Sequence, residues 1–498
     1  MQIETKDHTY NRKQLALQLA TREGSHDPRL VDKVLSMYPD PDNPRMSLNG
    51  FISNLEQIAI DGRNTDKNDR TLLAGLNSVL KDIDSARLFN ETYIGHMLTE
   101  ASIPGLLGYI MGLKTGSNTV AREVSLAESK LEPEAIRGLA KIIGYDPEKA
   151  DGTFTSGGSM AMQTALMAAR RKAMSEGKHP TPDHPLVVFG NCYSHYSVSK
   201  MCDIIGGPTE LVVKRDIKVK NFKTDLNDLE YKLEEAKSNN DPVMAVISIV
   251  AETETGKVDN SKNIVSIAGK YGVPVIVDGA FGAPMRLSRN GHLMAGMESS
   301  YAITVDGHKS LGTPYSNGAV IFKTGTDKYL GYGDRVEYLG DKANLGQKRI
   351  EGSMGAGPIL STVAVLRTLG LDGLATLYNL NLDRVEYLWK VVEKSPVLLN
   401  LFYPEMNLLC FGIKTEIISK LGINSVKGVK EFIDTTREEL DNGVQRYGGH
   451  FFSATELPLE DGTKAPVYRA CIMHPRTTNE TIDNAITGLE RVIYSHLK

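Results

Sequence analysis

No charge of one sign dominates this chain of 498 residues: 57 lysines and arginines face 61 aspartates and glutamates, a formal net charge of −4. That balance leaves no electrostatic footprint for nucleic acid or for an anionic membrane. No apolar run approaches the ~20 residues of a membrane span. The polar start, Met1-Gln2-Ile3-Glu4-Thr5-Lys6-Asp7, has no signal-peptide core. Cysteine is scarce, and Cys192, Cys202, Cys410 and Cys471 include no Cys-x-x-Cys pair. A zinc site or a disulfide framework is therefore not expected, and a reducing cytoplasm suits the chain. No internal repeat or low-complexity tract interrupts it. No Gly-x-Gly-x-x-Gly follows a strand and no Gly-Lys-Ser/Thr loop exists, so dinucleotides and nucleoside triphosphates are poor ligands. The expectation is a cytoplasmic protein with no metal, no nucleic-acid partner and no membrane partner.

What is present is an ordinary globular composition, 41% hydrophobic and 24% charged, at a length that implies two to four units. Residues 1–90 read as a mostly helical segment, broken by the loop Asp40-Pro41-Asp42-Asn43-Pro44, that packs on something larger such as a partner subunit. Residues 91–370 alternate helices with apolar strands. A helix opens at Glu132 with Pro133 in its first turn and ends at Gly144. Another begins at Ser159 behind a small, glycine-rich start. Strands are expected at 186–189, 243–250, 273–277, 301–305 and 318–322, with helices at 197–205 and 261–271, the latter capped by Ser261. Unbroken apolar strands separated by helices imply an α/β domain with a mostly parallel sheet covered on both faces. From 371 the texture becomes α+β: a helix at 371–393, strands at 408–413, 449–454 and 467–473, and helices at 427–440 and 478–497. That is a small C-terminal domain, 371–498.

Ligands of open α/β sheets sit beyond the C-terminal ends of the strands, and four segments meet that rule. Ser156-Gly157-Gly158-Ser159 stands at a helix start, where free N–H groups and the dipole favour a phosphate; it also reads as a plain cap. Asp278 ends the strand 273–277, where a carboxylate needs a cation: a protonated pyridine nitrogen or an arginine. His195 follows the strand at 186 and is suited to stacking on a ring or moving a proton, or to a structural role. Lys309 lies beside His308 just past the strand 301–305. It reads as a surface lysine taken alone and as a nucleophile toward a carbonyl if poorly solvated. Together they supply a phosphate cradle, a counter-charge for a ring nitrogen, a stacking imidazole and a Schiff-base lysine. Those are the requirements of pyridoxal 5′-phosphate.

These segments carry a resemblance. Tyr93-Ile94-Gly95-His96-Met97, Asn118 to Ser125, Gly157-Gly158-Ser159, His195-Tyr196-Ser197, Thr253-Glu254-Thr255-Gly256, Val277-Asp278-Gly279-Ala280, Asp306-Gly307-His308-Lys309, Ile350-Glu351-Gly352-Ser353 and Met473-His474-Pro475 appear in family order from about residue 85 onward. The chain resembles the group II pyridoxal-dependent amino-acid decarboxylases, of the fold-type I (aminotransferase-like) superfamily, and is most similar to bacterial tyrosine and glutamate decarboxylases. The resemblance implies that Lys309 holds the cofactor as a Schiff base and Asp278 pairs with its ring nitrogen. It implies that His195 stacks on the ring, that Gly158, Ser159 and His308 hold the phosphate, and that Thr253 and Ala280 line the ring. It further implies a homodimer with sites at the interface, Ser353 reaching the neighbouring subunit's phosphate, and a loop tyrosine, Tyr338 or Tyr332, with Tyr338 preferred, as proton donor. The implied reaction is decarboxylation of an L-amino acid, an aromatic, tyrosine-like one first and glutamate or aspartate second. An aldehyde synthase, a C–C lyase and a catalytically inactive homologue are the rival readings. Four positions depart from the family pattern: Ala251-Glu252 for Gly-Thr, Met354 for a basic residue, Met162 for asparagine, and Ser125-Leu126-Ala127-Glu128-Ser129 for Ser-Pro-x-Thr-Thr.

Overall fold

The computed structural model describes residues 26–38, 89–325, 348–442, 449–458 and 463–497. Its centre is a seven-stranded sheet of β1 (Asp151–Thr155), β2 (Leu186–Asn191), β3 (Val212–Ile217), β6 (Val243–Ile249), β7 (Val275–Asp278), β8 (Ala302–Asp306) and β9 (Gly318–Phe322). The pair β4 (Val219–Lys220) and β5 (Lys223–Thr224) forms a separate hairpin. The sheet order is β1-β9-β8-β7-β6-β2-β3; β9 runs antiparallel to both of its neighbours and the remaining pairs are parallel.

The central strands are buried on both faces, which is why they are apolar without alternation. Their side chains nevertheless divide by the two-residue period. Val246, Val275, Val277, Ile303, Val305 and Ile321 enter one core. Ala245, Ile247, Ile276, Ala302, Val320 and Phe322 enter the other. Helices α1 (Pro28–Ser36), α2 (Ile103–Thr115), α3 (Glu128–Ile143), α4 (Gly158–Ser175), α5 (Tyr196–Gly206), α6 (Leu226–Ser238) and α7 (Ser261–Lys270) surround it. Of these, α4 and α5 cover the second face and α1, α3, α6 and α7 contribute to the first.

Two helix starts differ from expectation. Helix α3 begins four residues before Glu132, so Pro133 lies inside it rather than in its first turn. The side chain that caps α7 is Asn260, which accepts from the Asn263 N–H at 3.1 Å, while Ser261 is already helical and bonds Ser248.

Helix α8 (Gly357–Lys394) crosses from the large sheet to a four-stranded antiparallel sheet of order β10-β11-β13-β12. These strands are β10 (Leu398–Asn400), β11 (Leu408–Ile413), β12 (Ser453–Pro458) and β13 (Lys464–Cys471), with α9 (Val426–Asn442) and α10 (Asn479–Ser495) packed on them. By length and composition α8 would pass for a membrane span. Its Gly370 is non-helical (φ 67°), however, and Ile359, Val363, Val365, Leu374 and Leu377 are buried against the rest of the chain.

Candidate active site

The C-terminal edge of the large sheet gathers the expected residues because four strands end there side by side. Strand β8 ends at Asp306 and passes into a one-turn helix, Gly307–Ser310. Lys309 therefore points back over its own strand end, and its Nζ donates to Asp306 Oδ2 at 3.2 Å. Burial alone would lower the Lys309 ammonium, but the Asp306 and Asp278 carboxylates outweigh it and the lysine titrates above its ordinary value. Asp306 is 2% exposed, and its Oδ1 has no hydrogen-bond partner among the described residues. Burial pushes its carboxyl up to about 6 against the pull of Lys309.

His308 is buried on the same turn. Its Nδ1 lies 2.7 Å from the Asn317 carbonyl and 3.2 Å from the Asn317 N–H, and its Nε2 faces Asp306 Oδ2 at 3.5 Å. Burial first, and then the Lys309 charge, push His308 down to about 4, so it is neutral near pH 7. The Tyr315 ring lies over it with centroids 3.8 Å apart. Next in the sheet, Asp278 ends β7 and accepts from the Thr304 hydroxyl at 3.3 Å and the Ala280 N–H at 3.4 Å.

The turn between β1 and α4 completes this edge. Gly157 caps α4 with φ 155°, a conformation that glycine tolerates. A Cβ on Gly158 would come within 2.7 Å of Asp306 Oδ2 and 3.2 Å of the Ala280 Cβ, so only glycine fits that approach. Ser159 opens the helix beside it. His195 caps α5 at the end of β2; its Nδ1 accepts from the Ser197 N–H at 3.3 Å, which leaves Nε2 as the protonated nitrogen facing outward. Burial lowers its pKa, with the fields of Asp278 and Lys309 acting on it in opposite senses. The backbone carbonyl of Thr253, past the end of β6, accepts from buried Arg469 Nε at 2.7 Å.

Ser353 stands apart from this cluster. It is exposed, in a loop tied to its own chain by Glu351, which accepts from the Ser156 N–H at 2.9 Å, and by the Met354 carbonyl, which accepts from Thr119. Tyr332 and Tyr338 lie outside the described residues.

Three participants escaped sequence reasoning. Asp306 stands in the lysine motif without an assigned role, and its i,i+3 spacing to Lys309 was the available signal. Tyr315 carried no expectation. Arg469 joins the Thr253 carbonyl to Gly95, whose carbonyl it reaches at 2.9 Å, and no local pattern marks it. A narrow cavity behind Lys309 is walled by Tyr38, Phe281, Met285, Tyr378, Asn381 and Met473. Thr99 and Asn407 also face it. Thr99 Oγ1, Tyr378 OH, Asn381 Oδ1 and Asn407 Oδ1 are buried without partners among the described residues.

Comparisons with known proteins agree with this chemistry. Residues 79–414 match the model of the pyridoxal-dependent decarboxylase conserved domain. An aspartate 1-decarboxylase of Aliivibrio fischeri is 26% identical over 434 residues, covering 79% of this chain and 78% of that protein. An aromatic-L-amino-acid decarboxylase of Bacillus atrophaeus is 24% identical over 423 residues, covering 79% and 80%. The fold matches the crystal structure of mouse CSAD in its apo form with a TM-score of 0.74 at 18% identity, over 97% of this chain and 98% of that one. It also matches Oryza sativa TDC with PLP and tryptamine, with a TM-score of 0.74 at 16% identity, over 99% and 100%. The residues present fit pyridoxal phosphate: a helix start at which only glycine fits, an acid at a strand end, and a half-buried lysine held on a rigid turn. The chain belongs to the pyridoxal-dependent decarboxylase family, and it is a carboxy-lyase that uses pyridoxal phosphate to remove the carboxyl group of an amino acid.

Proposed function

We propose that the substrate is an L-amino acid with an aromatic, tyrosine-like side chain. The observation that carries this reading is the wall behind Lys309. It offers aromatic rings, hydroxyls and amide oxygens, and among the described residues it holds no cation besides Lys309 to balance a second carboxylate. Buried arginines are engaged with other groups, Arg469 with the Thr253 and Gly95 carbonyls, Arg476 with the Leu35 and Tyr38 carbonyls and Arg349 with Glu132. The composition of the wall, rather than its present narrow width, is what bears on the substrate. The second reading, an acidic substrate, is favoured by the resemblance to an aspartate 1-decarboxylase.

Pyridoxal phosphate, when bound, supplies an electron sink for the bond that breaks. The chain's own residues do the rest. Lys309 would provide the amine that holds the cofactor. Asp278 would keep a ring nitrogen protonated by its charge. Gly158, Ser159 and His308 would hold a phosphate at the start of α4. Because His308 is neutral, its contribution is polar rather than charged. His195 would stack on the ring and help bind the substrate carboxylate, and Thr253 and Ala280 would line the ring.

A second copy of the chain completes the site in this reading. Helix α2 is apolar all round. One side packs through Gly105, Gly108 and Gly112, while Leu107, Met111 and Leu113 on the other side, with Val124 and Leu126, are exposed. Ser353 is also exposed and free to reach a partner.

The experiment is a panel of L-amino acids assayed for carbon dioxide with added pyridoxal phosphate, with peroxide and ammonia measured alongside. Release from tyrosine or another aromatic substrate is expected, without peroxide. Release from aspartate or glutamate alone would overturn the substrate reading. Peroxide in step with carbon dioxide would point to an aldehyde synthase.

A further inference from the structure

We propose that Asp306 takes up the proton that Lys309 sheds when its amine attacks a carbonyl, and holds it as a neutral carboxylic acid until the lysine is released. The inference rests on the reading that Lys309 is the residue that bonds the cofactor.

The geometry provides a direct path. Oδ2 is 3.2 Å from Nζ and already accepts its hydrogen bond, so the proton needs no intervening water. The surroundings favour the transfer. Lys309 and His308 face Asp306 from the one-turn helix, Asp278 acts on it from the end of β7, and Tyr315 lies over His308. His308 is neutral and Asp278 repels, so Lys309 is the one positive charge at the carboxylate among the described residues. Two glycines press against it. A Cβ at Gly158 would stand 2.7 Å from Oδ2 and 3.1 Å from Oδ1, and one at Gly318 would stand 2.9 Å from Oδ1. Once the lysine nitrogen gives up its proton, a carboxylate 2% exposed would be left without a counter-charge. Such groups neutralise rather than remain ionised. An anion at the start of α4, beside Gly158, adds negative charge and strengthens the tendency.

The step balances within the pair. An N–H bond of the Lys309 ammonium breaks, an O–H bond forms at Asp306 Oδ2, and the electron pair stays on Nζ for the attack. When the lysine is freed, the proton returns by the same path.

Difference infrared spectra test this, taken on the full chain near neutral pH before and after loading with pyridoxal 5′-phosphate. Visible absorbance reports loading independently. The expected result is a carboxylic-acid C=O stretch that appears on loading, is absent in Asp306→Asn and is shifted in Asp306→Glu. Visible loading without that stretch overturns the proposal and leaves the Lys309 reading intact. A stretch that persists in Asp306→Asn also overturns it. Absence of visible loading in the wild type overturns both. If Asp306→Asn does not fold, the wild-type spectrum and Asp306→Glu still decide. A second readout uses the unloaded protein. Labelling of Lys309 by trinitrobenzenesulfonate near neutral pH is expected to be at least about tenfold faster in Asp306→Asn, because losing the paired charge lowers the amine's pKa; an unchanged rate counts against the pair.

Discussion

Glu252 lies three residues past the end of β6, where the family pattern has threonine, and it is 3% exposed. Its carboxylate accepts from the Glu254 N–H at 2.6 Å and from the N–H and hydroxyl of Thr255, which close the loop that carries Thr253. Burial nevertheless dominates and pushes it up to about 7 from 4.5. The folded chain thus binds this proton more tightly than the unfolded chain does. Its stabilising effect is complete below about 4.5 and is lost as pH rises through about 7. Glu252→Gln is expected to remove this fall, worth on the order of 2 kcal/mol between pH 5 and pH 8. Thermal denaturation across that range measures it. At this scale the placement of Lys309, Asp278 and His195 at one sheet edge was legible because each lies within four residues of an apolar strand's end. Asp306 was not, since its meaning depends on Gly158 and Gly318, which are distant in sequence and pressed against its carboxylate.

Among the elements, α2 and α8 meet at backbone contact. A Cβ on Gly112 would lie 2.3 Å from Gly357 N, and one on Gly108 would lie 2.6 Å from the Leu360 carbonyl oxygen. Gly112→Val must push the helices apart and is expected to cost about 3 kcal/mol, read from the urea midpoint. Strand β13 makes a different connection through Arg469, which bonds carbonyls in two loops, Gly95 and Thr253. Arg469→Met leaves those bonds unmade and is expected to cost about 2–4 kcal/mol in denaturation, with Arg469→Lys intermediate. The apolar strands β2, β6, β7, β8 and β9 and the capped helix α10 were legible from local pattern. Strand β1, Asp-Gly-Thr-Phe-Thr, and strand β3, which carries Lys214, Arg215 and Asp216, were not. Both lie at sheet edges, where a strand needs little apolar content and pairing decides its state.

For the whole molecule, the exposed apolar side of α2 sets the expected assembly. Leu107 and Met111 are four residues apart on one helical face and are 47% and 58% exposed. Replacing both with lysine is expected to shift the protein from dimer to monomer in light scattering while circular dichroism is retained. A wild type that is already monomeric would count against the second copy. Segment 1–90 is expected to pack on something larger, such as a partner. Its described helix, α1, buries Val31, Val34 and Leu35 in the main core of its own chain. Arg476 holds that helix's end through the Leu35 and Tyr38 carbonyls. Composition could not reveal this, because the contact joins residues some 440 positions apart.

The wall behind Lys309 draws on Tyr38, Phe281, Tyr378 and Met473, which span nearly the length of the chain. This gives synthesis a built-in order. The lysine and its strand emerge from the ribosome well before Asn407 and Met473 exist to shield them. A nascent or truncated chain that lacks Asn407 and Met473 presents the same lysine wetted on that side. The wall behind Lys309 is therefore complete only once the small sheet, whose strands adjoin both residues, is in place.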